Sequence, residues 1–74
     1  MASPFQIEYS PEAVAEIEAL RTFEARKIID TIEHHLRHGP KTESRSRIKK
    51  MRAPFWSEFR LRVDDFRVYY DVDD

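Results

Sequence analysis

Arg60, Arg62 and Arg67 are the side chains of this sequence best suited to chemistry, and all three fall in one run, FRLRVDDFRVYYDV, at residues 59–72. A guanidinium stays protonated and presents five donors in a planar fork, so arginines fixed side by side bind or stabilise negative charge. Hydrophobic residues alternate on both sides of Asp64-Asp65, the period-two signature of two strands joined by a two-residue turn. The register predicted from that turn opposes Val63 to Phe66, Leu61 to Val68, Phe59 to Tyr70 and Ser57 to Val72 on one face. The other face then carries Glu58, Arg60 and Arg62 opposite Asp71, Tyr69 and Arg67. Arg62 facing Arg67 is a like-charge pairing that costs stability unless solvent or an anion screens it. Such a cost suggests a use; the alternative is a plain exposed face whose arginines pair with Glu58, Asp71 and Asp73.

Charge along the chain points the same way. The net charge is −1, yet residues 1–36 hold three basic and seven acidic side chains, while residues 37–74 hold ten basic and seven acidic. Within residues 41–62 eight basic side chains meet two acidic ones. This asymmetry suggests a polyanionic partner for one surface, against the alternative of a solvated basic face.

Other chemistries find less support. His34 and His38 have the i, i+4 spacing that can hold a metal, but no HExxH-type pattern surrounds them, and cations at a helix C-terminus are favoured by the helix dipole alone. No metal is expected. Gly39 is the one glycine, which excludes a phosphate-cradling glycine loop, so no nucleotide cofactor is expected either. Ser44, Ser46 and Ser57 have no histidine near them in sequence to serve as a base.

The elements that position these residues follow from length and pattern. A chain of 74 residues has room for one domain with a small core. With no cysteine it has no disulfide frame, which fits a reducing compartment; no signal-like or membrane-length apolar run is present, and the expected location is the cytoplasm. Phe5, Ile7 and Tyr9 alternate with polar residues and predict a strand over residues 4–9. Ser10-Pro11-Glu12 is a helix start, and the apolar stripe Ala13, Val14, Ile17, Leu20 carries that helix over residues 11–21. Thr22 is the expected cap of a second helix with a stripe of Ala25, Ile28, Ile29, Ile32 and Leu36, closed by a Gly39 C-cap before Pro40. Residues 41–47 read as a loop and residues 48–51 as a weak strand, followed by a break at Ala53-Pro54 and the aromatic pair Phe55-Trp56. The expected fold is α+β, in the order β-α-α-β-β-β, with the two-helix hairpin packed on one face of an antiparallel sheet and the arginine face left open.

FQIEYSPEAVAEIEAL, SRIKKM and above all FRLRVDDFRVYYDV resemble the RelE/ParE superfamily of toxins from bacterial type II toxin-antitoxin systems, over nearly the whole chain. The resemblance implies a growth-arresting toxin neutralised by a cognate antitoxin protein. In the RelE-like branch it implies a metal-independent mRNA endoribonuclease that enters the ribosome and inhibits translation, with basic side chains of the sheet in catalysis. The matching positions are Arg60 and Arg67 as catalytic groups, with Arg47, Lys49, Lys50 and Arg62 as candidate nucleic-acid contacts. The implied step is attack of a ribose 2′-hydroxyl on the adjacent phosphate, whose transition state gains negative charge that fixed arginines stabilise. Phe55 and Trp56 are candidate anchors for the antitoxin, or else they close one end of the core.

Two departures from the family pattern bear on activity. Glu58 stands where strong members carry a lysine, and the sequence ends at Asp74 where the family continues into another strand with a further arginine and tyrosine. The expectation is a toxin domain truncated at its C-terminus, with the strand from Phe66 exposed as an edge or paired with a second chain. Three readings stay open: a ribosome-dependent mRNA endonuclease, a ParE-like poison of DNA gyrase, and a weakened member that mainly binds its antitoxin.

Overall fold

A computed structural model of the protein describes residues 5–45 and 47–73. The chain divides into two compact units, Met1–His38 and Gly39–Asp74, the first helical and the second a sheet.

In the first unit, α1 spans Pro11–Glu18. Its start follows the local code: the Ser10 hydroxyl accepts from the Ala13 N–H at 3.1 Å, Pro11 supplies a preset φ at the first helical position, and Glu12 faces the positive end of the dipole. The helix stops at Glu18, with Ala19 as its C-cap, three residues before the expected end. Next, α2 spans Thr22–Leu36. Arg21 is its N-cap and Thr22 its first helical residue, so the expected threonine cap makes no capping bond. At the far end Arg37 closes the helix in the right-handed region, and Gly39 does not take a positive φ, so the expected glycine cap is not used. Ile28, Ile32 and Leu36 recur every four residues and are buried. Each such side chain contributes about 1.5–3 kcal/mol by leaving water.

The expected opening strand begins at Pro4, which lies outside the described residues. Residues 5–9 make no sheet pairing among the described residues; instead the Phe5 N–H donates to the Arg37 carbonyl at 2.7 Å, and Arg37 Nη1 reaches back to the Phe5 carbonyl at 3.5 Å. Arg37 also pairs with Glu33 one turn earlier. Near this pair the buried Tyr9 hydroxyl has no hydrogen-bond partner, and burial, seconded by Glu33, raises its pKa against the opposing pull of Arg37. No helix among the described residues is long and apolar enough to cross a membrane.

In the second unit three antiparallel strands lie in the order β1-β2-β3: β1 is Ile48–Lys50, β2 is Phe59–Val63 and β3 is Phe66–Tyr70. The fold is therefore α+β, two helices followed by an antiparallel sheet. The β2–β3 register is the one the alternation predicts, with Val63 opposite Phe66, Leu61 opposite Val68 and Phe59 opposite Tyr70. Asp64 turns the hairpin with φ of 52°, in the left-handed region that aspartate tolerates better than most side chains. Leu61 and Val63 are fully buried, and Ile48 and Phe59 nearly so. Past the last ladder pair, the buried Ser57 hydroxyl shares its one proton between the carbonyls of Phe59 and Tyr70, at 2.9 and 3.0 Å, in place of a Ser57–Val72 pairing. Tyr70 stacks on Phe59 and donates its hydroxyl to the Pro40 carbonyl at 2.6 Å; burial pushes its pKa up to about 12.

The segment before β1 is ordered by side-chain acceptors rather than by periodicity. The Ser44 hydroxyl accepts from the N–H groups of Arg47 and Ile48, both at 3.1 Å, and Glu43 Oε1 accepts from the Lys50 N–H at 3.0 Å. The Ser44 N–H donates in turn to the Ile48 carbonyl at 2.9 Å. This loop thus runs along the side of β1 turned away from β2.

Candidate functional site

Side chains alternate across a strand, so the register decides which cations share a face. Arg60 lies opposite Tyr69 in β3 and opposite Lys49 in β1, while Arg62 lies opposite Arg67. The Arg62 N–H donates to the Arg47 carbonyl at 2.7 Å, which continues the ladder and sets Arg47 beside Arg62. The open face therefore carries two adjoining rows across three strands, Arg47–Arg62–Arg67 and Lys49–Arg60–Tyr69. Lys50 is opposite Phe59 and alternates to the other face, away from the remaining candidate contacts.

Of these cations Arg60 is half-buried and the others are exposed. Two are held by backbone acceptors: Arg62 Nε donates to the Asp64 carbonyl at 3.3 Å, and Arg47 Nη1 to the Arg62 carbonyl at 3.4 Å. Arg60 Nε is buried and has no hydrogen-bond partner. Orphaned buried donors are rare because each forfeits its hydration. A shallow depression of about 410 Å³ opens there, lined by Arg45, Arg47, Lys49, Arg60 and Arg62 together with Glu43, Ser44 and Ile48. Arg45 is a member that the aperiodic sequence around it did not single out.

A third row holds acids. The Glu58 N–H donates to Asp71 Oδ1 at 2.7 Å, and the Val72 N–H donates to Glu58 Oε1 at 3.1 Å. These reciprocal bonds close the open end of the hairpin, which gives Glu58 a structural task besides any effect on an approaching phosphate.

Phe55 and Trp56 stand at the edge of the same face. They stack at 5.5 Å between ring centres and 23°, and both reach Tyr69, at 5.3 and 5.2 Å. The three rings remain exposed, Trp56 at 72%, Phe55 at 39% and Tyr69 at 36%. Tyr69 was placed opposite Arg60 by the register, but its junction with the two upstream aromatics was not visible in sequence, because it depends on the path of residues 51–58 around the Ala53-Pro54 peptide, which is cis. His34 and His35 make an edge-to-face contact on α2. Among the described residues no three His, Cys, Asp or Glu side chains are grouped to hold a metal ion.

Chemically the face offers fixed, dehydrated-to-exposed guanidinium groups beside stacked rings, an arrangement for anions that also carry flat apolar surface. Searches of curated proteins and of solved structures return no match. A family model described as the ParE toxin of the type II toxin-antitoxin system, parDE, matches residues 7–74. Since that span takes in both helices, the entire sheet and every cation of its open face, the chain belongs to the ParE toxin family of type II toxin-antitoxin systems.

Proposed function

We propose that this toxin inhibits translation by cutting ribosome-bound mRNA in the cytoplasm, with Arg60 and Arg67 stabilising the charge that develops on the scissile phosphate. The observation that carries this reading is the buried, unpartnered Arg60 Nε within a depression walled by Arg45, Arg47, Lys49 and Arg62. In the step, the ribose 2′-oxygen bonds to phosphorus as the bond to the 5′-oxygen breaks, leaving a cyclic phosphate and a 5′-hydroxyl. The 2′-proton passes to an acceptor other than arginine, and the departing oxygen takes one up. Guanidinium groups preset on β2 and β3 meet the added negative charge of the transition state without reorganising, an effect commonly worth about 3 kcal/mol per donor. Arg47, Lys49 and Arg62 hold the flanking backbone, and Lys50 is the weakest of the candidate contacts because it alternates to the other face. The cognate antitoxin follows from the family.

Primer extension on mRNA in a translation reaction tests the reading. New cuts within codons that require the ribosome and vanish with Arg60→Ala and Arg67→Ala are expected. A second reading, a poison of DNA gyrase, is favoured by the parDE description of the matching family; gyrase-dependent double-strand breaks in a supercoiling reaction, without mRNA cuts, would decide for it.

A further inference from the structure

We propose that Phe55, Trp56 and Tyr69 form a stacking platform for an unpaired base of single-stranded RNA whose phosphates lie on the adjoining arginine rows. The inference rests on RNA being the target and adds to that reading the subsite that takes the base.

Three rings within 5.2 to 5.5 Å of one another, none of them buried, leave apolar surface in water between the cation rows and the Glu58–Asp71 row, whose carboxylates are engaged by the N–H groups of Val72 and Glu58. Exposed apolar surface of this kind marks a contact site. What it contacts is indicated by its neighbours. Tyr69 lies directly opposite Arg60 and, by strand alternation, on the same face as Arg67 two residues earlier and Arg62 beyond it. A groove of cations that tracks a backbone beside aromatic rings that take bases is how single-stranded nucleic acid is held, because each nucleotide joins one anion to one flat ring. An acidic peptide satisfies the arginines but has no need of three rings; an apolar peptide satisfies the rings and leaves the guanidinium groups unmatched. The orphaned Arg60 Nε stands at the junction between the two surfaces, where the phosphate of the stacked nucleotide would sit.

Trp56 is the single tryptophan of the chain, so its fluorescence reports on the platform alone. The probes are a short single-stranded oligoadenylate RNA, the abasic oligomer of equal length, and inorganic polyphosphate, each titrated into the purified toxin. Oligoadenylate is expected to quench Trp56, whereas the abasic oligomer and polyphosphate bind without quenching. Trp56→Ala, at a site too exposed to endanger folding, is expected to weaken binding of the RNA roughly 5- to 150-fold while leaving the abasic oligomer unchanged. Equal affinity for RNA with and without bases, or an unchanged affinity in Trp56→Ala, overturns the platform. So does quenching by the cognate antitoxin with none by RNA, which would make the rings a protein anchor. Primer extension separates the two levels. Base-dependent quenching in a toxin that makes no ribosome-dependent cuts upholds the platform and removes the endonuclease reading; cutting by Trp56→Ala at the parent rate, with no quenching in the parent, removes the platform alone.

Discussion

Replacing Arg67 by glutamine should make the protein more stable and less toxic at once. Arg67 stands opposite Arg62, and both are exposed. Two unit charges roughly 8 Å apart in a water-like dielectric repel by about 0.5 kcal/mol, the scale expected for two exposed side chains directly opposed across a strand pair. Unfolding a chain of 74 residues carries an entropy of about 0.16 kcal/mol/K, so relief of that repulsion raises the melting temperature by about 3 °C. The gain belongs to low-salt buffer, where the Debye length is about 30 Å, and disappears near 1 M salt, where it is about 3 Å. On the proposed endonuclease reading, the same substitution removes a charge-stabilising donor and should lower ribosome-dependent cleavage by about a hundredfold or more. Arg67→Lys keeps the charge without the fork and should melt like the parent at every salt concentration. Thermal melts followed by circular dichroism at low and high salt, beside growth arrest on induction, measure both effects. An Arg67→Gln protein that melts at or below the parent temperature in low salt, or arrests growth as well as the parent, refutes the reasoning.

Leu61 is fully buried in the middle strand, so Leu61→Ala should cost about 2–5 kcal/mol, and an unchanged urea midpoint would contradict that packing. Tyr70 favours its neutral form in the fold, with a pKa near 12 against 10.0; stability is therefore full below pH 10 and falls as pH rises from about 10 to 12, by about 1 kcal/mol after allowance for partial exposure. Tyr70→Phe should show a shallower alkaline slope in denaturation curves taken across the interval, Tyr9 with its raised pKa supplying what remains, and an identical slope in both proteins would argue against the assignment. Glu58→Gln keeps an oxygen for the Val72 N–H while removing a charge, and should bind RNA more tightly with little change in stability. Glu58→Ala loses the acceptor and should be about 1 kcal/mol less stable; equal stabilities would deny the hairpin closure.

The hairpin was legible because a strict alternation on either side of Asp64-Asp65 leaves one register that buries Leu61 and Val63, and the opposition of Arg62 to Arg67 came with it. The entry to α1 was legible for a different reason, since Ser10 and Pro11 act through short-range geometry that tertiary structure has little cause to override. Helix ends that rest on propensity alone went otherwise at Thr22 and Gly39. Residues 48–50 are too few for a period to show, and their register, set by the ladder to β2, is what gathers Lys49 with Arg60 and sends Lys50 to the other side. Glu58 read in sequence as a repelling charge because its bond to the Val72 N–H is a matter of distance across the strand pair. The ring cluster depended on how residues 51–58 return to the sheet, which no local pattern encodes.

The side-chain acceptors of Ser44 and Glu43 have a consequence for how this protein meets other chains. They occupy the outward N–H groups of Ile48 and Lys50, and the Ser44 N–H occupies the outward carbonyl between them. The β1 margin is thereby closed to strand addition, while the backbone of Arg67 and Tyr69 on the outer side of β3 makes no hydrogen bond among the described residues. Growth of a sheet into a fibre requires two receptive margins per molecule, and among the described residues the sheet closes one of its two. A copy that joins through β3 uses the margin that the described residues leave open, and the closed β1 margin offers no place for a third strand partner.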